Sequence, residues 1–523
     1  MVSMADLRPT SSRAALALRM ATGLLMVTVP FATALVAVAY APPTTVELAG
    51  QPVTVRPVLG QTRTELFSGA LVLPRYAHLP VLGLDVGLDL DANWNNLVPS
   101  NKQTRTYLTT LWENPQPAID VIERAARRHL LAWASAGFAV GLAADVAIVL
   151  LVRQRRRRLA GLTLEQAQFV DQYNRRLRRT VVAGGVVVAI AVNALAVQVL
   201  LRHDDRPVES TAAFDGTALE GTQVTGLLAD AMPFLSVLRP RSQFYDDVSA
   251  HLEAAVAVHP TLVRTDKEVA FVLAEDFEDV NGMARQVGLA ADLVDADFLA
   301  LTGDLTFAGK PIETYLLDTI DYYSRKRPVY LAPGLHDTTA ITDAAEARGW
   351  HVADGTTQTV DGLRLLLAGD PRVSNVGDFG SGTVQRDPDL DPDTFVADTA
   401  AASCDTSTDF VLLHDHLLGR QIAETGCQRV AVLDGRSYPF VGPQRVTTAD
   451  GGVTTEFTSG SGGGHTDTTP DPGVIEHPAR FSIFYVDPET LSTSYAVVTV
   501  QPDASVTVTN RLPLGRPFEE AQP

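Results

Sequence analysis

The stretch Val329-Tyr330-Leu331-Ala332-Pro333-Gly334-Leu335-His336-Asp337 decides the fold reading. An apolar run of strand character breaks on Pro-Gly and delivers His and Asp at the break. Four other apolar runs end in the same manner. Ala270–Leu273 leads into Asp276-Phe277-Glu278, and Phe298–Leu301 into Gly303-Asp304. Phe410–Leu413 leads into His414, and Val430–Leu433 into Gly435-Arg436-Ser437-Tyr438. Strands that end in polar residues gather a site at the carboxyl edge of an α/β sheet. Helical spacing at Asn281–Leu293, Ile312–Tyr323 and Thr338–Arg348 falls between them. Alternation of this kind predicts a mostly parallel sheet between helices. From 444 onward the pattern turns to strands: Arg445–Thr448, Val453–Phe457, Phe481–Val486, Ser494–Val500 and Ser505–Thr509. A second sheet packed on the first predicts an α/β fold, a four-layer α/β sandwich, over 268–523.

The order and spacing of these strand-end motifs resemble the calcineurin-like metallophosphoesterases, whose motifs read D-x-H, G-D, G-N-H-D, H and G-H-x-H. The resemblance covers about residues 268–500 and implies the same four-layer fold. It implies a two-metal centre, in which paired cations activate water and clamp the ester oxygens. Carried onto this chain, the first metal finds Asp276, Glu278 and Asp304, with Tyr438 in the place of a His. Glu can serve as a metal ligand, whereas neutral tyrosine, with a reference pKa near 10, is a poor one. The second metal finds Asp304 and His414, with Leu335 in an Asn place and Arg436 in a His place. Leucine has no donor atom, and arginine stays charged. At most one site, for Mn, Fe or Zn, is therefore expected intact. The guanidinium of Arg436 has two readings: it takes an anion, or it pairs internally with Asp276 or Asp304. His336 and Asp337 also have two: the acid that protonates the leaving group, or a hydrogen-bonded turn that the fold requires.

Working outward, the N-terminal part reads as membrane-associated. Met20–Ala41 and Thr180–Leu201 carry no charge, and Leu130–Val152 carries only Asp145. About 20 apolar residues cross a bilayer as a helix, so three transmembrane helices are expected, at 20–41, 130–152 and 180–201. The first also reads as a signal peptide, although its apolar run is long and Pro42-Pro43 is a poor cleavage context. Nine arginines lie in the loop 153–179, a strong positive-inside signal. Arg8, Arg13 and Arg19 place the segment 1–19 on the same side. The expected topology puts 42–129 and 202–523 outside the cell membrane. Alternating residues over 44–92 predict a small antiparallel β unit within the extracytoplasmic segment 42–129. The segment 202–267 reads as a connecting region with helical spacing at Asp246–Ala257. Asp145 is either functional or hydrogen-bonded to Asn193 or Gln198.

The formal net charge of −19 argues against a nucleic-acid partner. The only cysteines, Cys404 and Cys427, cannot form a four-cysteine zinc cluster. Outside the membrane they are expected to form a disulfide, the alternative being two buried thiols. The Ala/Val/Arg-rich, lysine-poor composition points to a bacterial host. Two functional readings follow. One is a membrane-anchored phosphoester hydrolase using one metal or an altered pair. The other is a pseudoenzyme that binds an anionic small molecule or an envelope protein. Both include the lipid bilayer as a partner.

Overall fold

The computed structural model describes residues 27–59, 62–66, 69–73, 79–81, 84–92, 116–160, 187, 189–197, 223–224, 239–374, 383–385, 391–436, 440–464 and 475–515. The chain divides into two compact units. One comprises Met1–Val46, Pro52–Asn93 and Val121–Asp230, and the other Glu47–Gln51, Trp94–Asp120 and Ala231–Pro523.

In the second unit, strands β1 (Val269–Ala274), β2 (Phe298–Leu301) and β3 (Val329–Leu331) are parallel neighbours. They alternate with helices α1 (Asn281–Val294) and α2 (Tyr315–Tyr323). Antiparallel β4 (Ala479–Val486) pairs with the other edge of β1, and β5 (Thr493–Val500) pairs with β4. A second sheet runs in the order Thr357–Val360, Leu363–Ala368, Phe410–Asp415, Ala431–Gly435, Val453–Thr458, Gly442–Thr447. Its four central strands are parallel.

Strand periodicity explains the layering. Ala270, Val272 and Ala274 face a core shared with Met283, Val287, Leu316 and Ile320 of the helices. Val269, Phe271 and Leu273 face a different core shared with Leu365, Leu367, Phe410, Leu412 and Phe457 of the second sheet. The other face of that sheet packs Val411, Leu413 and Val432 on Phe395, Leu418 and Ile422. These come from helices Pro392–Thr406 and His416–Ala423. Successive strand residues point to opposite faces, so a strand apolar throughout is covered on both sides. The result is the expected four-layer order of helix, sheet, sheet, helix. Register places Phe298, Phe271 and Phe484 side by side across three strands. Their rings stack at 4.9 and 5.0 Å, each pair adding roughly 1 kcal/mol beyond area burial.

Cys404, in the last turn of Pro392–Thr406, is disulfide-bonded to Cys427. The bridge closes the segment that carries His414.

In the first unit, a sheet runs in the order Gln51–Leu59, Leu84–Ala92, Thr62–Leu66, Gly69–Leu73, Gln223–Val224. It is not wholly antiparallel as expected, since Thr62–Leu66 pairs in parallel with Leu84–Ala92. One strand comes from the stretch read as a connector. A single helix spans Gln116–Ala160. Its portion Gln116–Leu150 is the one helix among the described residues long and apolar enough to cross a membrane. Of the other two expected spans, Val27–Ala39 is a shorter apolar helix and 189–197 is helical. Tyr40 and Ala41 follow the first of these helices, Val187 is also helical, and the other residues of both spans lie outside the described residues.

Gly137 and Gly141 let the long helix approach Val27–Ala39 closely. A Cβ on Gly137 would lie 2.6 Å from Ala37 Cβ, and one on Gly141 would lie 2.6 Å from Pro30 Cα. The Asn193 amide donates to the Ala189 carbonyl, not to Asp145, because a carbonyl one helical turn back is always within its reach. Gln198, the other expected partner, lies outside the described residues. Asp145 Oδ2 is buried without a hydrogen-bond partner.

Candidate metal centre

The two sheets present their parallel strands' carboxyl ends to one another. Asp276 follows β1, Asp304 follows β2, and His414 lies near the end of Phe410–Asp415. One ligand atom from each of these three buried residues lies within 4.8 Å of the others. Gly303 and Gly334 permit this convergence. A Cβ on Gly303 would collide with the backbone nitrogen of Gly334, and one on Gly334 with Asp304. Gly303 also takes a φ of +94°, a region open to glycine.

Asp304 is the hub. Its Oδ1 accepts the His336 backbone N–H at 2.8 Å, and its Oδ2 lies 3.0 Å from His414 Nε2. His414 Nδ1 donates to the Thr302 carbonyl at 2.8 Å. That bond turns Nε2 toward the two carboxylates, where it has no aligned hydrogen-bond partner. A histidine held through one nitrogen by a carbonyl, with the other facing acidic oxygens, is the usual pose of a metal ligand. Asp276 Oδ2 is likewise buried without a partner. An imidazole nitrogen and two carboxylates suit a divalent transition metal, so these residues fit one such ion.

Electrostatics support the same reading. Burial pushes the Asp276 carboxyl up to about 7; His414 opposes this, and the Asp304 and Asp337 carboxylates reinforce it. Burial disfavours the His414 cation, yet Asp304 more than offsets this and raises the imidazole to about 10. Burial would raise Asp304 too, but His414 and His336 hold it well below the usual carboxylate range. His414 and Asp304 thus favour each other's charged forms.

The other predicted residues are distributed around this cluster. Glu278 is buried and its N–H bonds the Asp304 carbonyl at 3.2 Å, but its carboxylate is not part of the three-residue set. Asp337 is tied into the turn. Its Oδ1 accepts from the Leu305 and Thr306 amides at 3.0 and 3.4 Å, and its Oδ2 from the Gly334 amide at 3.0 Å. His336 lies at the rim with a side chain 19% exposed, stacked over Phe307, and its Nε2 is 3.8 Å from Asp304 Oδ2. Leu335, expected in an Asn place, is buried and offers no donor atom. Tyr438 lies outside the described residues.

Arg436 does pair internally, but with a different carboxylate from those expected. Its Nη1 donates to Asp415 Oδ2 rather than to Asp276 or Asp304. The reason is register: Asp415 is the Cα partner of Gly435, so Arg436 flanks it. Asp415 Oδ1 caps helix His416–Ala423 by accepting the Leu417 amide at 2.7 Å. Its Oδ2 also accepts from Arg372 Nη2, while Arg372 holds Asp370 bidentately at 2.9 Å for each bond. Burial works against the Asp415 anion, but Arg372 and Arg436 bring its carboxyl down to about 2. Arg372, Asp370 and Asp415 were not anticipated. A signal existed, since Leu363–Ala368 ends in Gly369-Asp370, the same strand-then-Gly-Asp pattern as at Asp304. Glu275 is a further buried neighbour: Thr302 Oγ1 donates to its Oε2 at 3.2 Å, and burial pushes its carboxyl up.

No protein-family model matches the chain, and no curated protein matches it. Among solved structures it is similar to a Thermus thermophilus protein at 11% identity, over 45% of this chain and 98% of that one, with a TM-score of 0.31. It is similar to a dimetal phosphatase from Danio rerio at 11% identity, over 47% of this chain and 98% of that one, with a TM-score of 0.30. A purple acid phosphatase from yellow lupin (Lupinus luteus) seeds aligns at 12% identity over 46% of this chain and 53% of that one, with a TM-score of 0.29. The metallophosphoesterase-like reading rests on the chain itself. Five strand ends carry motif residues in the expected order, on two facing sheets between helices, and three of those residues converge.

Proposed function

We propose that this chain is a membrane-anchored, extracytoplasmic metallophosphoesterase-like protein with one metal at its centre and phosphoester hydrolysis reduced or lost. The observation that carries this is Arg436, a permanent cation held on buried Asp415 in the position where the resemblance calls for a histidine ligand. Leu335 adds to it.

Asp276, Asp304 and His414 would hold the ion, be it manganese, iron or zinc. Such an ion supplies a Lewis acid and an activated water. His336, beside Asp304 and partly exposed, is the group placed to pass a proton to a leaving oxygen. Its retention favours a second reading, a one-metal hydrolase of a phosphoester or related anionic small molecule.

The membrane reading draws on the long helix, whose Leu131, Phe138, Val140, Leu142, Val146 and Leu150 are exposed, a pattern suited to lipid. Close glycine-mediated helix contact is also frequent in membranes. The nine arginines of 153–179 support the orientation through the positive-inside rule, and the disulfide suits an oxidising compartment. Nucleic acid is not among the proposed partners; an envelope protein is.

The test is metal content by mass spectrometry of detergent-purified full-length protein after incubation with manganese, iron or zinc. One metal per chain, lost in Asp304→Ala, supports the proposal. Two would overturn it, and none would remove the metal from it. A phosphoesterase screen of the one-metal form then separates the two readings.

A further inference from the structure

The residues in the second metal's place do not fit a metal, and that misfit has positive content. We infer that the open edge of Arg436, whose other edge is braced by Asp415 and Arg372, forms a half-site that takes a phosphate-type oxyanion through its N–H donors without any metal. This deepens the one-metal reading and rests on it.

Three observations carry the inference. First, Arg436 is anchored on one edge only. Its Nη1 bonds Asp415, and no other protein partner is recorded for its Nε and Nη2 among the described residues. Its side chain is 39% exposed, so the remaining edge is open to a ligand. A guanidinium fork matches the spacing of two oxyanion oxygens. Second, the anchor is itself fixed. Asp415 is 1% exposed at its side chain, bound by Arg372 and by the helix amides. Third, the setting is coherent. Arg436 is bonded to Asp415, the residue after His414, and follows Gly435, which packs against the Glu275 carboxyl next to Asp276, so its guanidinium adjoins the Asp276–Asp304–His414 cluster. The ligand class is a tetrahedral oxyanion, either free phosphate or the phosphoryl group of an ester.

The experiment is calorimetric titration of inorganic phosphate into full-length, detergent-purified protein in excess chelator at low ionic strength. Chelated wild type is expected to bind phosphate. Arg436→Gln is expected to weaken binding by about tenfold or more, the loss of one charged hydrogen-bonding partner. Arg436→Lys should recover part of that, since the charge returns without the fork. Arg325→Gln, at an exposed site in ion-pair contact with Asp292, is the control and should bind as wild type does. Thermal melts of each variant establish that it is folded. Because Arg436 is half-exposed, its variants test the half-site even if Arg372→Gln fails to fold. Binding that vanishes in chelator and returns with manganese would overturn the inference while leaving the one-metal reading intact. Equal binding by wild type and Arg436→Gln would overturn it also. Two metals per chain in the same preparation would sink the underlying reading itself. A competing phosphomonoester that displaces phosphate would identify the esterified form as the ligand; without displacement, it is the free ion.

Discussion

Removing the Cys404–Cys427 bridge gives the most direct measure of how the site-bearing segment is held. The bond joins residues 23 positions apart. In the chain-entropy account, closing a loop of that length restricts the unfolded chain by about 11 cal/mol/K, or about 3.4 kcal/mol at 25 °C. Packing adds little, since Cys404 is exposed and Cys427 only half-buried. Cys404→Ala/Cys427→Ala therefore opens no core cavity, and the entropic figure is close to the whole expected effect. For a domain of this size, that lowers the melting temperature by roughly 7–14 °C.

The assay is thermal unfolding of purified protein, wild type with and without reductant, beside the double variant. The reduced wild type and the variant should melt together, below the oxidised wild type. Because the closed segment includes His414 and Asp415, the variant should also lose bound metal at lower chelator concentration. An oxidised wild type that melts where the variant does would refute the reasoning, and would also remove the disulfide as support for an extracytoplasmic location.

Other perturbations separate positioning from chemistry. Asp337→Ala leaves the Leu305, Thr306 and Gly334 amides without their carboxylate and should cost about 3–5 kcal/mol in urea unfolding. His336→Ala keeps the backbone N–H that bonds Asp304; it should melt near wild type and lower only hydrolysis. Gly435→Ala drives a methyl into the buried Glu275 carboxyl and should destabilise by about 2–3 kcal/mol, read by the same unfolding. Asp434 is buried with its carboxyl pushed well up by burial and then by Glu456. Its raised folded value means the folded state keeps a proton that the unfolded chain releases above about pH 4. Stability from this group thus falls as pH rises, by at most about 1.4 kcal/mol per unit. Asp434→Asn should gain on wild type between pH 5 and pH 8 in paired urea titrations. An unchanged difference between the two pH values would show that folded Asp434 holds no proton in that window that the unfolded chain lacks.

The strand-end motifs were legible because each apolar run stops abruptly, and a parallel strand buried on both faces has no alternation to obscure its limits. Asn281–Leu293 was likewise bounded to within a residue of the helix at Asn281–Val294. What escaped was non-local. Leu363–Ala368 becomes an interior strand only through parallel pairing with Phe410–Asp415, and nothing in its own few residues indicates that neighbour. Arg372 finds Asp415 from 43 positions away. The partner of Arg436 depended on a register with a shift between Leu412 and Asp415. The substitutions at the metal positions were readable from residue type; the network built around them needed the fold.

Backbone strain at Arg436 allows stability and ligand binding to be separated. Its φ is +58°, as Asp276 and Asp304 have +46° and +47°. The left-handed region costs an L-residue roughly 1–2 kcal/mol, and such strain persists where surroundings enforce it, often at functional sites. Arg436→Gly relieves that strain but adds unfolded-state entropy of roughly 0.5–1 kcal/mol. It also gives up a half-exposed ion pair, of the kind that contributes up to about 1 kcal/mol, while Asp415 keeps Arg372. These terms nearly cancel, so Arg436→Gly should unfold in urea within about 1 kcal/mol of wild type. Phosphate binding in chelator should nonetheless be lost. A variant several kcal/mol less stable would make Arg436 a structural brace. A variant equally stable but unable to bind phosphate would mean that the strained arginine is explained by its ligand and not by the fold.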